Sequence, residues 1–235
     1  NASDPWVSWS FRKQPKFFDI ATWTGTGVNR TISHNLGSVP GSIIVKRTDA
    51  SQDWAVYHRS LANTQYLVLN STASAATDAT WWNSTTPTST VFSVGTDASV
   101  NASGGTYVAY LFAHDTASDS RIQCGTFSGQ PTSVNLGWEP QWLLCKRTDS
   151  TSNWVLLDNK RVTGGSENYL YANTNDAEQT SFDLVDFTST GFDVLSGLAG
   201  TQIYMAIRAS TATDSAITWP SSVKWPSGVA PTTPA

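Results

Sequence analysis

The sequence predicts an all-β protein made of two tandem homologous β-sandwich (jelly-roll-like) domains. Three observations lead there. A series of identities recurs in order at a nearly constant offset. The apolar runs are short, rich in β-branched and aromatic residues, and separated by Gly, Pro, Asn and Asp. No window carries a helical period of useful length.

The repeat is the first of these. Asn35-Leu36-Gly37 and Pro40 recur as Asn135-Leu136-Gly137 and Pro140, an offset of 100. Lys46-Arg47-Thr48-Asp49 recurs as Lys146-Arg147-Thr148-Asp149, and Trp54 as Trp154. Tyr66-Leu67 matches Tyr169-Leu170, Phe92 and Val94 match Phe192 and Val194, and Gly105-Thr106 matches Gly200-Thr201 before a last apolar strand. The offset drifts only in Ser/Thr/Gly stretches, where loops tolerate insertion. Within a copy, Ser42 to Arg47, Trp54 to His58, Tyr66 to Asn70, Val91 to Val94 and Tyr107 to Ala113 each have strand length and composition. Turn signals every 8–15 residues then give about 7–8 strands per copy.

The boundaries follow. Residues 14–115 form the first repeat and 116–212 the second. Residues 1–13 read as the closing strand of a preceding unit, because Asn1-Ala2-Ser3 and Trp6 to Phe11 resemble Asn101-Ala102-Ser103 and Tyr107 to Phe112. Residues 213–235 have the Pro/Ser/Thr content of a linker or of the start of a next segment. The expectation is a piece of a longer protein.

Composition narrows the function classes. Charged residues are only 14% and the net charge is −4, which does not suit a nucleic-acid surface. No apolar stretch approaches the ~18 residues of a membrane span, so no membrane insertion is expected. Two cysteines do not make a disulfide framework; Cys124 aligns with Ile20 and Cys145 with Val45, which marks both as small core residues. His34, His58 and His114 are scattered, and His58 aligns with Asp158. No phosphate loop, HExxH or nucleophile elbow occurs. No catalytic residue, cofactor or metal ligand is therefore assigned. The stretch Asp176, Glu178, Asp183 and Asp186 reads as a solvated loop, with a weak cation site as the alternative.

The candidate binding residues are few. Trp81-Trp82-Asn83 lies in a loop-like context, and neighbours on an extended chain point opposite ways, so at least one indole is expected to be exposed for stacking on a sugar. Arg47 and Arg147 are candidate ligand or subunit contacts. Trp54 and Trp154 are expected as buried core anchors of their copies, and Asp49 and Asp149 as turn residues bonding backbone N–H groups two residues on.

The runs Phe17-Phe18-Asp19-Ile20, Trp23-Thr24-Gly25-Thr26-Gly27, Ile32-Ser33-His34-Asn35-Leu36-Gly37, Val45-Lys46-Arg47, Trp54-Ala55-Val56-Tyr57-His58 and Asn101 to Tyr110 resemble a repeat domain of tailed-bacteriophage virion proteins of the tail-fibre kind. The resemblance covers about residues 6–225 and is strongest in the first copy. It implies a structural protein of the phage tail, homo-oligomeric (a trimer is one form) and in contact with other virion proteins. Asp158 in place of the histidine departs from the pattern. The function expected is a virion structural protein, part of a tail fibre involved in host attachment. The alternatives are a lectin-like module for host surface polysaccharide and a polysaccharide depolymerase.

Overall fold

The computed structural model describes residues 7–163, 166–180 and 182–208. Expectations for residues 1–6 and 213–235 lie outside them. The first copy holds β1 (Phe18–Thr24), β2 (Arg30–Ser33), β3 (Pro40–Arg47), β4 (Ala55–His58), β5 (Gln65–Val68), β6 (Ala76–Thr77), β7 (Val91–Val94) and β8 (Thr106–Ala113), with one-turn helices α1 (Ala79–Trp82) and α2 (Ala98–Asn101). The second holds β9 (Ile122–Ser128), β10 (Thr132–Asn135), β11 (Pro140–Arg147), β12 (Trp154–Thr163), β13 (Ser166–Tyr171), β14 (Val185–Thr188), β15 (Gly191–Val194) and β16 (Thr201–Arg208).

Four antiparallel sheets result. A large sheet runs β1-β8-β3-β4-β5-β6 and a small one pairs β2 with β7. In the second copy the large sheet runs β9-β16-β11-β12-β13 and the small one β10-β15-β14. Strand for strand, the shared parts of the two orders correspond. First, last and third strands lie side by side while the second pairs with the seventh in another sheet, as in a jelly roll. The fourth and fifth strands depart from that wrap by staying in the large sheet. Both copies slip register at the same place, between Pro40 and Ser42 and between Pro140 and Trp142, and the second copy slips again between Leu157 and Val162 of β12. The shared Asn-Leu-Gly turn has its reason in backbone shape: Gly37 and Gly137 sit at φ 71° and 79°, where a side chain is strained.

Strand alternation divides the apolar residues between two cores. On one face of the second large sheet, Leu143, Cys145, Leu157, Tyr204 and Ala206 pack against Phe192 and Val194 of the small sheet. On the other face, Trp142, Leu144, Trp154, Leu156, Ile203 and Met205 join the cluster of the first copy. The first copy does the same. Trp23 stacks on Tyr107 and meets Phe92 of its small sheet, while Phe112, on the opposite face, meets Phe11. The two large sheets thus share an apolar seam, with a small sheet outside each.

Polar contacts cross the seam as well. The Trp154 indole donates to the Val68 carbonyl at 2.9 Å. Residues 72–75 of the first copy bond the loop after β11 through Ser152 N to Thr72 O (2.9 Å) and Ala75 N to Thr148 O (2.9 Å). Gly41 has no side chain because Cys124 of β9 fills its place: a Cβ there would lie 2.7 Å from the cysteine sulfur.

Residues 7–13 form no strand, which departs from the closing strand expected there. They contribute rings instead of ladder bonds. Phe11 packs edge-on to Trp142 at 5.9 Å, and Trp9 donates its indole N–H to Asp158 at 3.2 Å.

Candidate functional site

The repeated Arg-x-Asp turns are structural straps. Arg47 donates Nε and Nη2 to the two Asp49 oxygens at 2.9 and 3.0 Å, and Asp49 accepts the backbone N–H of Thr106 at 2.9 Å. The second copy repeats this with Arg147 Nε to Asp149 at 2.6 Å and Thr201 N to Asp149 at 3.2 Å. Each Asp therefore bonds an arginine two residues back and the strand alongside, not the N–H two residues ahead as expected. The guanidinium of Arg47, followed by the Thr106 N–H, holds the Asp49 carboxyl well below the usual range. With its charge spent on Asp49, Arg47 lies with its guanidinium 6.0 Å from the Tyr107 ring.

The expectation that at least one of Trp81 and Trp82 is exposed is corrected: both are buried, at 5% and 1%. They sit on α1, capped by Asp78, whose side chain accepts from Thr80 N. On a helical turn, neighbours diverge by about 100° rather than pointing to opposite faces, so both can turn inward. Trp81 stacks on Tyr66 with ring centroids 3.7 Å apart, and Trp82 meets Tyr57 edge-on at 5.9 Å. Asn83 ends the helix in the left-handed conformation, φ 51°. This trio is packing and capping, not a sugar platform.

The expectation for Trp54 and Trp154 is corrected in part. Both lie on the seam face rather than in the core of their own copy. Trp154 is buried at 2%. Trp54 is only partly buried, stacked at 6.5 Å on Tyr110 with the Lys46 ammonium 5.5 Å from its ring. It lines an open margin of the seam, a recess of about 370 Å³ shared with Trp9, Phe11, Tyr110 and Phe112.

A second recess, of about 410 Å³, opens on the second copy between Ser152, Asn153, Tyr169, Tyr171, Phe182 and Ser196. Tyr169 is the counterpart of Tyr66. In the first copy Trp81 stacks on that tyrosine; in the second Tyr169, 4% exposed, forms the floor of the groove. Its wall mixes rings with hydroxyls and an amide, and Phe182 is 67% exposed. Asn153 is held by Asn173 Nδ2 at 2.8 Å, and Asn173 also accepts the Trp154 N–H.

The acidic stretch splits in two. Glu178 accepts from Arg161 at 2.5 Å, and Arg161 also holds Asp158 at 2.8 Å. Asp183 and Asp186 instead meet Glu167 of β13, with one oxygen from each within 4.8 Å of the others. Glu167 Oε1 accepts Phe187 N at 3.2 Å, whereas Glu167 Oε2 and Asp183 Oδ1 are closed off without a hydrogen bond among the described residues. Burial, then Asp186 and Asp183, push the Glu167 carboxyl up; burial, then Asp183 and Asp193, do the same to Asp186. If any described group were to hold a cation, oxygen-ligand chemistry would place it here.

The remaining reactive side chains are tied down. Cys124 and Cys145 are free and buried, and burial pushes the Cys124 thiol up to about 12 and raises that of Cys145. All three histidines accept a backbone N–H at Nδ1: His34 from Leu36 at 3.2 Å, His58 from Ser60 at 3.2 Å and His114 from Cys124 at 3.1 Å.

The model of one family, a domain of unknown function termed DUF7483, matches residues 8–209. The chain belongs to that family. The DUF7483 match runs through both copies and the seam between them. No curated protein and no solved structure matches the chain.

Two features of this DUF7483 domain escape a linear reading. Glu167 joins Asp183 and Asp186 from another strand, a proximity that no local spacing reports. The groove draws its wall from Ser152 and Asn153, from Tyr169 and Tyr171 of β13, and from Phe182 and Ser196, a convergence that no local spacing reports either.

Proposed function

We propose that the chain is a non-catalytic structural module of a bacteriophage virion, part of a tail fibre used in host attachment. One observation supports the non-catalytic part: the three histidines and both cysteines are all spent on backbone contacts or apolar packing, which leaves no base–nucleophile pair built on His or Cys among the described residues. The resemblance of its repeated runs to virion repeat domains supports the setting. Exposed sheet margins support association into a closed homo-oligomer beside other tail proteins. Immunogold labelling of phage particles that encode the chain tests this. Gold along the tail is expected. Bare particles, with the protein detected free in the lysate, overturn it.

A second reading, binding of host surface glycans, is favoured by the groove at Tyr171 and Phe182, with the buried Tyr169 as its floor. Aromatic faces flanked by Asn153, Ser152 and Ser196 suit a sugar ring with an apolar face and hydroxyl edges. A glycan array probed with the chain tests it, with binding expected to be lost in Phe182→Ala; silence across polysaccharides of the host surface removes it. The depolymerase reading is the weakest. Glu167, Asp183 and Asp186 form a tight half-buried cluster, and among the described residues nothing shows a substrate cleft between facing carboxyl groups of the kind glycoside hydrolysis uses.

A further inference from the structure

The seam carries two imidazoles at one margin. His58 ends β4 and is buried at 2%; its Nε2 lies 3.0 Å from the carbonyl of Tyr204 on β16. Since Nδ1 of His58 accepts the Ser60 N–H, that nitrogen is bare and Nε2 carries the proton donated to Tyr204. His114 follows β8 and takes the N–H of Cys124, on β9, at its own Nδ1. Arg59 reaches the carbonyl of the same Cys124 at 3.5 Å. The β9 edge of the second sheet is thus gripped at both main-chain groups of Cys124, and its neighbour β16 by His58.

This grip works only while both imidazoles are neutral. A second proton on His58 has to go to Nδ1, where the Ser60 N–H already points. A proton at Nδ1 of His114 breaks its bond to Cys124. The groups facing the pair make matters worse for a cation: Arg59 bears on both, each bears on the other, and Cys124 and Tyr204 are uncharged. Asp115 beside His114 is the counter-charge.

We propose that His58 and His114 form an acid-sensitive latch which holds the second large sheet on the first and frees that margin of the seam when they are protonated. The latch is independent of the virion and glycan readings. Burial, then Arg59 and His114, lower His58 to about 4, against the Tyr204 contact that raises it; burial, then Arg59, lowers His114. The sign follows. Above about 6.5 both imidazoles are neutral in the closed and the open form alike, and the latch is at full strength. Stability of the closed seam falls as pH drops from there towards about 4. Over that interval the opening constant grows on the order of a hundredfold from His58 alone.

The test uses the whole chain between pH 7.5 and pH 4. Hydrogen exchange, corrected for intrinsic rate, is read at β9 and β16 and compared with the outer strands β2 and β7, while NMR follows the imidazole shifts. Protection at β9 and β16 is expected to fail before that at β2 and β7, together with His58 and His114 titration. His58→Gln, which can still donate to Tyr204 but does not titrate, combined with His114→Gln, is expected to move the opening to lower pH. Opening at an unchanged pH in the double variant overturns the latch. If the variants do not fold, the wild-type chain still decides: imidazoles that titrate near 6.5 without loss of β9 and β16 protection refute it.

Discussion

Trp54 and Trp154 are the same residue in two copies, yet their truncation should cost different amounts. A tryptophan side chain offers roughly 200 Å² to bury, worth about 5 kcal/mol at about 25 cal/mol per Å². Trp154 is 2% exposed, so nearly all of that area counts. Trp154→Ala also leaves the Val68 carbonyl without its donor, for about another 1 kcal/mol. Partial refilling of the cavity brings the expected loss to about 4–5 kcal/mol. Trp54 keeps part of its ring in solvent, and Trp54→Ala should cost about 2–3 kcal/mol. Urea unfolding followed by far-UV circular dichroism measures both. Because the seam is common to the copies, Trp154→Ala should shift one transition for the whole chain. Equal losses in the two variants refute the burial reasoning. A separate early transition, with the first copy at its wild-type midpoint, refutes the shared seam.

Other outcomes follow from single contacts. Trp82→Ala should cost about 3–5 kcal/mol in the same unfolding assay, since the indole is 1% exposed, and should leave glycan-array signals unchanged. Asp186→Asn should raise the melting temperature at pH 7 in chelator, measured by calorimetry; because the fold raises this carboxyl, native-state stability climbs as pH falls through its pKa, and the variant's advantage should shrink with it. A thiol reagent should modify neither cysteine of the native chain and both after denaturation, since burial seals them.

The sequence exposed the repeat well, because identical residues mark identical backbone needs: the Gly37 and Gly137 turns, the Arg47–Asp49 and Arg147–Asp149 straps. It also held a sign of the seam. Ile43-Ile44-Val45 and Leu143-Leu144-Cys145 are unbroken apolar runs, the pattern of strands covered on both faces, whereas a free-standing sandwich alternates. The burial of Trp81 and Trp82 was hidden by size, since a four-residue helix is too short to show a period. Trp54 and Trp154 read alike in sequence; only their neighbours across the seam separate them.

The seam joins like to like. Ile44 meets the cluster of Leu144, and Trp54 and Trp154 sit at matching points of facing sheets. The pairing is of like sheets but not of exchanged contacts, since Trp154 donates to Val68 and Cys124 fills the place beside Gly41. Each copy has its seam face already covered by the other, so any further association has to use the margins and loops outside it.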